Sequence, residues 1–170
     1  MKMRGMSLIE VVVYVGILGI IMVFVTNTLI TIVSTYRRVG AEREALSSAR
    51  LTMETITKHI AYAQEVYAPT SRFNTNNGQI SLITPFETTP EHTTIYADFW
   101  SDGNSIVMQK EGQAAITLSS PRVRVTQFRV ERIVQTLGRE AIKITLSVSS
   151  PVYGTAPMIL NTTTALRGGY

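Results

Sequence analysis

From position 11 to position 36 the chain carries no charged residue, and from 11 to 33 it is broken only by Tyr14, two glycines and the polar set Thr26, Asn27, Thr28 and Thr31. About 20 apolar residues in a helix cross the roughly 30 Å of hydrocarbon in a bilayer, so this run is long enough to span. Its valines and isoleucines are poor helix formers in water. In lipid every backbone N–H and C=O must pair within the segment, which forces the helix regardless. The pattern therefore predicts a membrane helix over 6–36. At its mouth stands one carboxylate, Glu10. An acid at the edge of hydrocarbon is costly, and its presence points to a specific partner.

Beyond the apolar run the spacing of hydrophobic positions becomes that of an amphipathic helix. Leu46, Ala49, Met53, Ile56, Ile60 and Ala63 recur at intervals of three and four, which aligns them on one face. Ser48, Thr52, Glu54, Thr55, Lys58 and His59 take the remaining positions and are expected to face water. The stripe covers fewer than three heptads, so packing against its own domain is preferred over a coiled-coil seam. Residues 36–44 join the two stretches and are helix-compatible except for Gly40, which permits a bend. A helix continuous from about Ser7 to Val66 would reach on the order of 90 Å at 1.5 Å per residue, longer than a globular domain needs.

After Ala68 and Pro69 the period changes from helical to alternating. A turn-rich loop over 69–78 gives way to runs that favour strands at 79–83, 94–100, 105–110, 114–119, 122–134, 141–149 and 158–166. Turn formers separate them: Asp102-Gly103-Asn104, Glu111-Gly112, Ser120-Pro121, Leu137-Gly138-Arg139 and Ser150-Pro151. Short connections make sequential neighbours antiparallel. Alternation is clean through Ile142, Ile144, Leu146 and Val148, which gives that strand one buried and one wet face. It slips between Val125 and Phe128, where a bulge or break is expected. The fold class that results is α+β, a long N-terminal helix with a membrane half and an amphipathic half, the latter packed on an antiparallel β-sheet.

Length and charge narrow the rest. Of 170 residues, those after the span suffice for one domain with a real core. The formal charge of +4 falls to +2 if Lys2 and Arg4 are removed, which is weak ground for nucleic-acid binding. There is no cysteine, so an exported domain would be held by packing alone, and thiolate–metal or redox chemistry is excluded.

The front of the chain carries a motif. Gly5-Met6-Ser7-Leu8-Ile9-Glu10-Val11-Val12-Val13, closing with Gly16-Ile17-Leu18-Gly19-Ile20-Ile21, resembles the cleavage and methylation motif of type IV pilins and type II secretion pseudopilins. It covers about the first 30 residues and joins a short basic leader, a glycine, a glutamate and an apolar helix. The resemblance implies that a prepilin peptidase cuts between Gly5 and Met6, that the new amine of Met6 is methylated, and that the processed chain joins other pilin or pseudopilin subunits through its N-terminal helix. It implies a pilin-like fold and four stretches: a leader over 1–5, the membrane and assembly helix over 6–36, its amphipathic continuation over 37–68, and an exported β domain over 69–170. Met6 stands where phenylalanine is usual, a tolerated variation. Asn27 stands where many major pilins carry proline, which inclines the reading to a minor subunit.

Charge pairing gives Glu10 a role independently of the motif. Cutting after Gly5 would place a positive amine near the carboxylate, and two opposite charges offset each other's desolvation. Within one helix they are poorly placed to meet, whereas an axially shifted neighbour could offer its amine. Glu10 is thus the expected assembly residue. A secretory signal peptide fits less well, since the apolar run is too long, an acid interrupts its start and no small-residue cleavage site follows. Basic residues lie on both sides of the span: Lys2 and Arg4 before it, Arg37, Arg38, Arg43 and Arg50 after it. Their count alone favours the opposite orientation. The motif outranks it, since cleavage at Gly5 requires a cytoplasmic leader, and the expected location is the cytoplasmic or inner membrane with the C-terminal domain outside.

Catalysis finds little support. His59 and His92 lack metal-ligand spacing with other donors and are expected to be ordinary surface histidines. No phosphate-cradling glycine motif or nucleophile elbow is present. Asp98 and Asp102 lie in an oxygen-rich stretch that lacks the rhythm of a calcium loop, so a hairpin turn is expected, with no metal and no cofactor. Tyr96, Phe99 and Trp100 read as core, with Trp100 partly exposed beside the turn. Asn161-Thr162-Thr163 matches a glycosylation acceptor too short to carry weight. Two function classes follow: a filament subunit, or a membrane-tethered exported domain that binds a surface, DNA or a secretion substrate without forming filaments.

Overall fold

The computed structural model describes residues 7–85, 94–134, 140–151 and 156–166. The expected cleavage site at Gly5 and Met6, His92 and the Leu137-Gly138-Arg139 turn lie outside these residues. The chain forms two compact units, residues 1–40 and 41–170.

Helix α1 runs Leu8–Tyr62 and belongs to both units. In the second unit it is followed by eight strands: β1 (Glu65–Val66), β2 (Gln79–Thr84), β3 (Ile95–Ser101), β4 (Ile106–Lys110), β5 (Ile116–Thr117), β6 (Arg124–Val134), β7 (Glu140–Ser149) and β8 (Met158–Ala165). Within each sheet sequence neighbours pair antiparallel, in one sheet of order β1-β2-β3-β4-β5 and another of order β6-β7-β8. The α+β class with a long N-terminal helix and antiparallel β structure is therefore the fold of this chain. The β part differs from the expectation in being two sheets.

The helix ends earlier than the apolar spacing implies. Ala63 N–H bonds back to the Ile60 carbonyl at 3.1 Å, and the Gln64 N–H then donates to Ile83 at 2.8 Å, drawing the chain into the first sheet. Glu65 and Val66, expected to be helical, pair instead with Ile83 and Leu82.

One core joins this helix to both sheets. Ala45, Ala49, Met53, Ile56 and Ile60 pack in a cluster with Ile80, Leu82, Phe99 and Ile106 of the first sheet and Phe128, Val130, Ile142, Ile144 and Leu146 of the second. Register sets these contacts: Ile80 lies opposite Phe99, Phe128 opposite Leu146 and Val130 opposite Ile144. The slip expected between Val125 and Phe128 is a bulge at Thr126, since Val125 pairs with Val148 but Gln127 pairs with Ser147. The extra residue is held by its hydroxyl, 2.9 Å from that of Ser147.

The buried stripe of α1 is broader than the apolar positions. Ser48, Thr52 and His59, placed on the wet face by polarity, are buried, while Leu46 is half-buried. The first two are buried because the link between the sheets lies on them. The Ser48 hydroxyl accepts from the Ser120 N–H at 2.9 Å, and Thr52 donates to the Leu118 carbonyl at 3.4 Å. His59 is 2% exposed, its ring 5.2 Å from that of Phe99. It is a core histidine and not a surface one.

A second seam joins the sheets directly. The Gly78 N–H donates to Phe128 at 2.7 Å, the Phe128 N–H to Asn76 at 2.8 Å, and the Asn74 N–H to Val130 at 2.9 Å. Residues 74–78 thereby cover the outer side of β6. A Cβ on Gly78 would lie 2.8 Å from the Phe128 carbonyl oxygen, so only glycine permits this approach.

Candidate assembly segment

Among the described residues the first unit is built from a single element, and its sequence explains where that element starts. Ser7-Leu8-Ile9-Glu10 has the serine-to-glutamate spacing of a capping box, a signal that is missed when Glu10 is taken only as an intramembrane acid. The Glu10 and Val11 N–H groups both donate to the Ser7 carbonyl, at 3.0 and 3.3 Å. Glu10 sits in the first turn of α1 and is exposed. There the unpaired N–H groups of the helix carry partial positive charge, which favours a carboxylate by about 0.3–1 kcal/mol at an exposed site. Part of the cost of this charge is thus offset locally, before any partner arrives.

From there through Gly40 every residue is exposed. Leu8 is 82% exposed and Phe24 73%. The segment is long and apolar enough to cross a membrane, and within it no side chain is buried. Its polar residues do not interrupt it. Thr28 donates to the Phe24 carbonyl and Thr31 to that of Asn27, each at 2.9 Å, and Ser34 donates to Thr31 at 2.9 Å. Hydroxyls that return to the carbonyls of their own preceding turn bring no unsatisfied donor into an apolar setting. Gly16 and Gly19 have no neighbour within 4 Å where a Cβ would stand. Sterics inside the chain therefore do not require glycine there, whereas close approach of another helix would use it.

The remaining candidates lie in the second unit. Asp102 closes the β3–β4 hairpin: its Oδ1 accepts from the N–H groups of Asn104 and Ser105 at 2.9 and 2.6 Å, and its Oδ2 from the Ser105 hydroxyl at 2.7 Å. These bonds, that from Asn104 foremost, hold its carboxyl below the usual range. Both oxygens serve the turn, and Gly103 supplies its positive φ of 95°. Asp98 lies on β3, opposite Ser81 and Gln109. Among the described residues no group of three or more His, Cys, Asp or Glu side chains is placed to hold a metal ion. The aromatic trio divides: Phe99 is fully buried, Trp100 half-buried, and Tyr96 exposed with its ring edge-on to Tyr67 at 5.4 Å.

Comparison of the chain with models of protein families, with curated proteins and with solved structures returns no match.

Proposed function

We propose that this chain is a minor pilin or pseudopilin, a structural subunit of a type IV pilus or a type II secretion-like filament. A prepilin peptidase removes residues 1–5, the Met6 amine is methylated, and the helix holds the subunit in the cytoplasmic membrane with its β domain outside until extraction into the filament. The observation that carries this reading is the exposure of every residue from 7 to 40 in a helix whose continuation packs into a core. Such a segment needs a cover that the described residues do not supply, and its composition suits first lipid and then the helices of other subunits.

Glu10 gives the assembly step its chemistry. In lipid its carboxylate is favoured only by the helix N-terminus; in a filament the amine of an adjacent subunit, freed by cleavage, sits within the same low-dielectric layer and pairs with it. The pair also sets the axial stagger, because only one offset between neighbours brings amine and acid together. Replacing Glu10 by leucine keeps the anchor and removes the pairing. Expressed in the native host, Glu10→Leu is expected to reach the membrane normally and to fall at least about tenfold in the sheared filament fraction, the change that about 1.4 kcal/mol produces. Unchanged incorporation would overturn the reading. An exported domain that is only tethered predicts instead that the unaltered chain is missing from filaments.

A further inference from the structure

Sheet edges present unpaired N–H and C=O groups that invite another chain, and proteins blunt them by shortness, charge, proline, bulges or a covering loop. Four edges bound the two sheets, and three are blunted. β1 and β5 have two residues each. The outer side of β6 is covered by residues 74–78 and bulged at Thr126. Among the described residues β8 has none of these devices. It is eight residues long, pairs with β7 without a register shift, and contains no charge and no proline. Among the described residues no backbone group bonds to its other side.

The geometry of that open side is specific. The Leu166 N–H donates to the Glu140 carbonyl at 3.1 Å. Antiparallel alternation then aims the N–H and C=O of Ile159, Asn161, Thr163 and Ala165 away from β7. These are the four exposed residues of the strand. Beside its inner face lies a groove lined by Thr162 of β8 and by Met53, Glu54, Thr57, Lys58, Ala61 and Tyr62 of α1.

We infer that the open side of β8 binds an extended strand of another polypeptide, seven or more residues long, uncharged, and small or apolar at alternate positions. Only an extended backbone matches a row of groups repeating every second residue, and the run from Ile159 to Ala165 takes seven residues to pair. Alternate side chains of the added strand continue the inner face past Met158, Leu160 and Thr162 and enter the groove beside Met53 and Ala61. An uncharged edge sets no like charge against an uncharged strand. A second copy's β8 fits worse. Its antiparallel pairing needs a twofold axis normal to the sheet, which points the Ala41 ends of the two helices in opposite directions, unsuited to two chains anchored in one membrane. That last step rests on the anchored reading under Proposed function.

The test is amide exchange on the full chain in detergent micelles, followed by NMR. The probe is a peptide of seven alternating threonine and valine residues with a lysine at each end. Alone, the chain should exchange Ile159, Asn161, Thr163 and Ala165 quickly and Leu160, Thr162 and Thr164 slowly. Excess peptide should slow the first four at least tenfold. Thr163→Pro, which removes one outward N–H and leaves the β7 ladder intact, should cancel the effect, whereas Thr163→Ala, which keeps that N–H, should retain it. Unchanged exchange with peptide would overturn the proposal. So would slow exchange of the four amides without it, by the chain's own cover if independent of protein concentration and by a second copy if it grows with concentration. Failure here leaves filament incorporation of the chain untouched, and failure of incorporation leaves these amides to be read on their own.

Discussion

Residues 8–40 and 41–62 belong to one helix with one backbone geometry, yet the first stretch buries nothing and the second buries eight side chains. Secondary structure is therefore not what separates them. The second stretch has its partners in the same chain, two sheets whose inner faces supply Phe99, Phe128, Ile142 and Ile144. The first is mostly apolar, with Thr28, Thr31 and Ser34 turning their hydroxyls back on its own carbonyls, and no side chain of it is buried. The core of the β domain thus includes the second stretch and none of the first, and the first is left long and apolar enough to cross a membrane.

The largest effects should come from treating like residues on the two sides alike. Phe128→Ala, at a side chain with no exposure, is expected to lower the stability of the β domain by about 3–5 kcal/mol in a denaturant titration. Phe24→Ala, at 73% exposure, should leave the same transition within about 0.5 kcal/mol. Equal losses would erase the distinction between the two stretches. Glycines offer a second pair. Gly78→Ala forces a methyl against the Phe128 carbonyl and should cost about 1–3 kcal/mol, while Gly16→Ala, in open space, should not move the melting of the domain.

A smaller effect is expected at the buried polar contacts. Ser48→Ala leaves the Ser120 N–H without its acceptor and should destabilise by about 1–3 kcal/mol on a chemical melt, whereas exposed Ser34→Ala should be neutral to the domain.

Acid should act on the second unit. Glu131 is held below the usual carboxylate range, first by the hydrogen bond from Lys143 at 2.9 Å and then by the charges of Lys143 and Arg129. A carboxyl whose folded value is depressed favours the fold above its unfolded value, and that contribution disappears as pH falls through the folded one. Melting temperature should accordingly drop on acidification below the ordinary carboxylate range. Glu131→Gln should flatten part of that slope by lowering the melting temperature at neutral pH while leaving it nearly unchanged in acid, where the native carboxyl is already protonated. A steeper slope in the variant would contradict the assignment.

Much of the fold is legible in the sequence because it depends on local periodicity. The alternation of Ile142, Ile144, Leu146 and Val148 marks the buried face of β7, and the slip after Val125 marks the bulge at Thr126. What escapes depends on distant partners. Ser48 and Thr52 are polar by type and buried only because residues 118–120 lie across them, a contact no helical stripe reveals. The end of α1 at Tyr62 is hidden because Ala63 and Val66 are both buried and continue the helical spacing, with no glycine or proline to stop it. Two sheets rather than one follow from a break between β5 and β6 that adjacency in sequence does not announce. At the candidate site, Glu10 stands out as the carboxylate that abuts the apolar run. Its second role, in the first turn of the helix, lies in its spacing from Ser7.

If this exposed helix is freed at its front to join others of its kind, the event is recorded in the chain's own N-terminus. Mass spectrometry of the N-terminal peptide, from chain purified out of its native host, should find a peptide that begins at Met6 and carries one methyl group on its amine; a peptide that still begins at Met1 would contradict the proposal.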